Sequence, residues 1–128
     1  MKILILGAGR VGSSLASTLS KQQYEVSIVD LNKNRLQRLQ EDLDLATEVG
    51  HGSYPSTLKK VGADEETILL AVTNSDECNI TACQIAKSKF NVKKTICRLS
   101  DASYLNSLSA FGENNIDIAI SPENEVTE

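Results

Sequence analysis

The residues with the clearest capacity for chemistry are three glycines near the start of the chain. Gly7, Gly9 and Gly12 stand in the spacing G-x-G-x-x-G within KILILGAGRVGSSLA. An apolar run, Ile3 to Leu6, precedes them, and a stretch of helical periodicity follows. In that context each glycine serves a pyrophosphate. Gly7 permits a tight turn, Gly9 lets the backbone approach the phosphates, and Gly12 lets the next helix lie close to the strand. The helix start then presents free N–H groups and a partial positive charge. Asp30 closes the second apolar run, YEVSIVD, at the distance of about 20 residues where a carboxylate accepts the ribose hydroxyls of an adenosine.

Asp30 also narrows the choice of nucleotide. A 2′-phosphate beside it would be repelled by about 4 kcal/mol, for unit charges roughly 4 Å apart at an effective dielectric of about 20. Leu31 and Asn32 follow, with no arginine directly after the acid. That favours NAD over NADP, with Lys33 and Arg35 close enough to weigh the other way. It does not separate NAD from ATP or ADP, whose 2′-hydroxyl is also free. Catalytic equipment is another matter. The one histidine, His51, lies in VGHGS on the adenine side, away from where a nicotinamide would sit. The chain contains no G-x-S-x-G elbow, metal-ligand spacing or Walker lysine. The residues describe a nucleotide cradle without a reaction, and no enzyme is expected.

The elements that must position these residues alternate along the chain. Strands are expected at KILIL, YEVSIVD, LATEV, TILLAVT, KKTICRL and IDIAI. Helices are expected from Val11 to about Lys21, over NKNRLQRLQEDL with Asn32 as cap, over YPSTLKKVG, over SDECNITACQIAKSKF, and over DASYLNSLSAFG up to Gly112. Such alternation predicts an α/β fold, a doubly wound Rossmann sheet of six parallel strands in the order 3-2-1-4-5-6 with helices on both faces.

A length of 128 residues suits one domain, and a formal charge of -4 argues against a nucleic-acid partner. No apolar run approaches the roughly 20 residues needed to cross a bilayer, so no membrane insertion is expected. The short run Ile3 to Leu6, interrupted by glycines and Arg10, does not read as a signal peptide. Cys78, Cys83 and Cys97 lack C-x-x-C spacing and read as small buried residues in a reducing cytoplasm.

GAGRVG, VD at the second strand, GHGS after the third and VTNSDECNITACQIAK over the fourth strand and its helix form a set. With CRLSDASY and ISPE, the chain resembles the TrkA-N family of RCK (KTN) domains over essentially its whole length. The resemblance implies a regulatory domain that binds NAD+ or NADH, with ATP or ADP in some relatives, and controls potassium flux without breaking a bond. It implies a homo-oligomer, dimers assembling to a ring, docked on a membrane potassium-transporter subunit of the TrkH/TrkG type. The location it implies is cytoplasmic, peripheral on the inner membrane. Gly7, Ala8, Gly9, Arg10, Val11 and Gly12 would line the pyrophosphate, and Asp30, with Leu31 and Arg35 nearby, would hold the adenosine ribose. Gly50, His51, Gly52 and Ser53 would border the adenine. Val72, Thr73 and Asn74 would close over the cofactor, braced by Asp76 and Asn79, although Ser75 or Asp76 could equally be capping a helix. Arg98 would meet a phosphate or stand as a surface arginine. Arg10 has the same two readings, and in some relatives it reaches a neighbouring subunit's nucleotide. The resemblance sets the domain at 1–121 and reads 122–128 as the start of a further region of a longer protein. The cofactor-binding fragment of an NAD-dependent dehydrogenase is the competing reading.

Overall fold

A computed structural model describes residues 1–112 and 115–121. The expected tail at 122–128 lies outside them. Six parallel strands form one sheet: β1 (Lys2–Leu6), β2 (Glu25–Asp30), β3 (Ala46–Val49), β4 (Thr67–Ala71), β5 (Lys94–Arg98) and β6 (Ile118–Ile120). Their order is β3-β2-β1-β4-β5-β6, as the alternation predicts. Between them run α1 (Arg10–Ser20), α2 (Lys33–Asp42), α3 (Pro55–Lys60), α4 (Asp76–Phe90) and α5 (Ala102–Leu105).

The two-residue period of β1 builds both cores. Ile3 and Ile5 join Ala16, Val26, Ile28 and Leu36 on one face of the sheet. Leu4 and Leu6 join Leu58, Leu69, Ile80, Cys83 and Ala86 on the other. A strand buried on both sides can therefore be apolar at every position. The helices begin where their caps dictate. The Asn32 side chain accepts from the Arg35 N–H at 3.2 Å, and Ser75 Oγ accepts from the Cys78 N–H at 3.1 Å. Asp76 and Glu77 then occupy the first turn of α4, and Lys87 and Lys89 its last, matching the helix dipole.

One expected helix is broken. DASYLNSLSAFG yields only α5, followed by a separate 3-10 turn at Leu108–Phe111. Leu105, Leu108 and Phe111, all packed on the core, recur every third residue. That matches the three-residue period of a 3-10 turn, while Tyr104, Leu108 and Phe111 would suit an α-helix equally, so the spacing admits both. Beyond it, β6 is tied inward through Asp117. Its carboxylate accepts from the Thr95 N–H at 2.8 Å and pairs with Lys87 at 2.9 Å.

Candidate functional site

The sheet order reverses between β1 and β4, and both strands end at the same level, Leu6 opposite Ala71. Ligands bind at such a crevice in open α/β sheets. Gly7 makes the turn out of β1 with φ +108° and donates its N–H to Val29 O at 2.8 Å. A Cβ on Gly7 would stand 3.0 Å from the Thr73 backbone, and one on Gly12 would stand 1.7 Å from Gly7 O. These two glycines let α1 and the β4 end close onto the turn. Gly9 differs: a Cβ there would meet only Arg35 Nη1, at 3.9 Å. The space above Gly9 is open, and no side chain caps the start of α1.

Asp30 holds this turn from the end of β2. One carboxylate oxygen accepts from the Ala8 N–H at 2.8 Å and the other from the Asn32 N–H at 2.7 Å. The acid that the spacing assigns to a ribose is thus also a structural tie. Each oxygen keeps lone-pair capacity beyond its backbone bond.

Across the crevice, the β4–α4 loop is stitched by side chains. Asn79, fully buried, accepts from the Thr73 N–H at 3.0 Å and from the Thr73 hydroxyl at 2.7 Å. Its Nδ2 donates to Thr73 O at 3.1 Å and to Arg98 O at 2.9 Å, joining the ends of β4 and β5. Asp76 accepts from the Ser100 and Asp101 N–H groups, both at 2.9 Å. The cap of α4 is Ser75, and the Asp76 carboxylate instead fastens the β5–α5 loop. Arg98 donates from Nη1 to Thr73 O at 3.2 Å, while its buried Nε has no partner.

The third wall follows β3. His51 Nδ1 lies 3.3 Å from the Ser53 N–H and 2.9 Å from Ser53 Oγ, and its ring stacks on Tyr54 at 4.5 Å. Two adjoining clefts of about 380 and 410 Å3 result. The first gathers Gly7, Asp30, Leu31, Arg35, Gly50, His51, Gly52, Thr73 and Asn74. The second gathers Gly7, Gly9, Arg10, Val11, Asp30, Arg35, Val72, Thr73, Asn74 and Arg98. Ala8, Gly12, Ser53, Asp76 and Asn79 line neither and act behind the walls. Val29, Asn32, Ser75 and Cys78 line the first cleft without having been expected there. Cys78 is half-buried, which corrects its reading as a core residue; Cys83 and Cys97 are buried. The rotation of the first turn of α4 sets the exposure of Cys78, and neither its residue type nor its spacing signals it. Among the described residues, Arg10, Arg35, Arg38 and Arg98 form no ion pair. No cluster of three His, Cys, Asp or Glu residues is placed to hold a metal, and no helix is long and apolar enough to cross a membrane, again among the described residues.

The chain is similar to the Trk system potassium uptake protein TrkA of Halomonas elongata, at 42% identity over 130 aligned positions. The match covers 100% of this chain and 28% of that relative, so the chain spans under a third of its length. Among solved structures, the TrkA-N domain of the Escherichia coli inner membrane protein ybaL aligns with a TM-score of 0.81 at 19% identity, covering 98% of this chain and 90% of that one. A GsuK channel bound to NAD aligns at 0.76 and 17% identity, covering 98% and 22%. GsuK bound to ADP aligns at 0.73 and 17%, covering 94% and 31%. At these identities the structures speak for the fold. The TrkA-N domain model matches residues 3–122, and the chain belongs to that family.

Proposed function

We propose that this chain is the nucleotide-sensing domain of a regulatory subunit that controls potassium uptake through a membrane transporter. The observation that carries the reading is the open space over Gly9, in a cleft that Asp30 and Arg98 also line. An NAD molecule fits this donor set. Gly9 and the free N–H groups of Arg10 and Val11 take the pyrophosphate, and Gly12 behind them lets α1 approach the turn. Asp30 takes the ribose hydroxyls with its remaining lone pairs, beside Leu31. Gly50, His51 and Gly52 border the base, with Ser53 behind them. Val72, Thr73 and Asn74 form the opposite wall, and Arg35 and Arg98 supply positive charge.

A nicotinamide cofactor, when bound, carries hydride chemistry; the residues of this chain contribute binding alone, so the domain is a sensor and not an enzyme. The name of the Halomonas relative supports potassium uptake as the process, and GsuK bound to NAD supports the ligand. The partner in this reading is a TrkH/TrkG-type subunit, met from the cytoplasmic face by a ring of these domains. A second reading, ATP or ADP as the signal, is favoured by Arg10, Arg35 and Arg98, which form no ion pair among the described residues and suit the greater charge of terminal phosphates.

The test is a calorimetric titration with NAD+, NADH, ATP and ADP. Asp30→Ala would sever two backbone ties, so the informative variant is Gly9→Ala, whose methyl enters open space. Pyridine nucleotide binding that weakens at least about tenfold in that variant, with folding intact, supports the proposal. Preference for ATP or ADP moves the signal to the second reading. Absence of binding by all four overturns both.

A further inference from the structure

We propose that His51 is a fixed hydrogen-bond donor that reads an acceptor nitrogen on the ring of the bound base. The proposal rests on the nucleotide reading above. The Ser53 N–H, 3.3 Å from His51 Nδ1, can only donate, so Nδ1 carries a lone pair. Ser53 Oγ lies 2.9 Å from the same atom and, with the lone pair there, is then its second donor. The proton of the neutral ring therefore sits on Nε2, which has no protein partner among the described residues.

The ring is held as well as polarised. It lies flat on Tyr54, with centroids 4.5 Å apart and planes 13° apart. Its flanking glycines press the loop onto buried side chains. A Cβ on Gly50 would stand 3.2 Å from Thr57, and one on Gly52 would stand 3.2 Å from Leu6. His51 shares its cleft with Asp30 and Leu31, so a ribose on Asp30 brings its base to this wall. Adenine offers unprotonated ring nitrogens to a donor placed there. Ser53 lines neither cleft and is a positioning residue.

The experiment compares ADP with analogues in which C–H replaces N1, N3 or N7 in turn. One analogue should bind about tenfold more weakly than ADP, the effect of one lost hydrogen bond. In His51→Phe, which keeps a flat ring on Tyr54, that difference should vanish. In Ser53→Ala it should shrink, because the hydroxyl is lost and only the backbone N–H then holds the proton off Nδ1. His51 is the only histidine in the chain, so its ring-nitrogen NMR shifts report the tautomer without overlap. The proposal is overturned if all the analogues bind like ADP, if the difference survives in His51→Phe, or if Nδ1 carries the proton in the native chain. If ADP does not bind, the same C–H replacements in the adenine of NAD+ make the comparison; failure of NAD+, NADH, ATP and ADP alike overturns the nucleotide reading, and this one with it.

Discussion

The two loops that face each other across the crevice leave adjacent parallel strands at the same level, and they are built in opposite ways. The β1–α1 turn is made of glycine and backbone, and Gly9 looks onto open space. The polar side chains of the β4–α4 loop are spent inside the protein: Thr73 and Ser75 bond to the start of α4, and Asp76 and Asn79 reach the end of β5 and the loop beyond it. The Gly7 and Ala8 N–H groups are already bonded, but those at the start of α1 have no other claim on them and can receive a charged guest. A filled loop makes a wall, because each buried polar group already has a partner. The contrast comes from side chains, since topology treats the two strand ends alike.

The largest loss is expected from Gly12→Ala. Its methyl would collide with the Gly7 carbonyl, and a backbone atom cannot swing away. A loss of more than about 3 kcal/mol is expected in urea denaturation. A loss below about 1 kcal/mol would mean that the turn is not locked by close approach. Asn79→Ala probes the filled loop. It strands the Thr73 N–H and the Arg98 carbonyl, and about 2–3 kcal/mol should be lost by the same assay. Ser75→Ala removes the cap of α4 and an exposed bond to Glu77 and should cost about 1 kcal/mol in thermal unfolding.

The smallest effect lies further from the crevice. Burial pushes the Asp117 carboxyl up, but Lys87 and the Thr95 N–H outweigh it and hold the group below its ordinary 3.8. The charged form is therefore favoured by folding. Its contribution is complete above the ordinary carboxylate range and is lost as pH falls through the lower folded value. Thermal melts between roughly pH 5 and pH 2 should show this decline, and Asp117→Asn should flatten it. An unchanged profile would remove the Lys87–Asp117 tie from the bracing of the second half.

Much of this was legible in the residue order. Continuous apolar runs between helix-periodic segments can only be interior parallel strands, so the sheet order followed. Gly7, Gly12 and Asn32 announced their conformations by type and position. Three things were not legible. The break after Leu105 came from core residues repeating every third position, a pattern that short helices of both kinds satisfy. The bonds from Asp30 to Ala8 and Asn32 depend on how β1 and β2 lie side by side, which spacing along one chain does not encode. Cys78 reached the crevice because the first turn of α4 overhangs it, a matter of helix rotation rather than composition.

The Thr73 N–H ends a strand yet donates to a side chain instead of to a neighbouring strand. Its exchange with deuterium is therefore gated by the swing of one amide group, Asn79, and not by fraying of the sheet. The N–H groups of Arg10, Val11 and Gly12, at the start of α1, have no such gate. In deuterated water the two sides of one crevice should mark time at different speeds. A guest that seats on the turn would slow the fast side and leave the slow side nearly where it was.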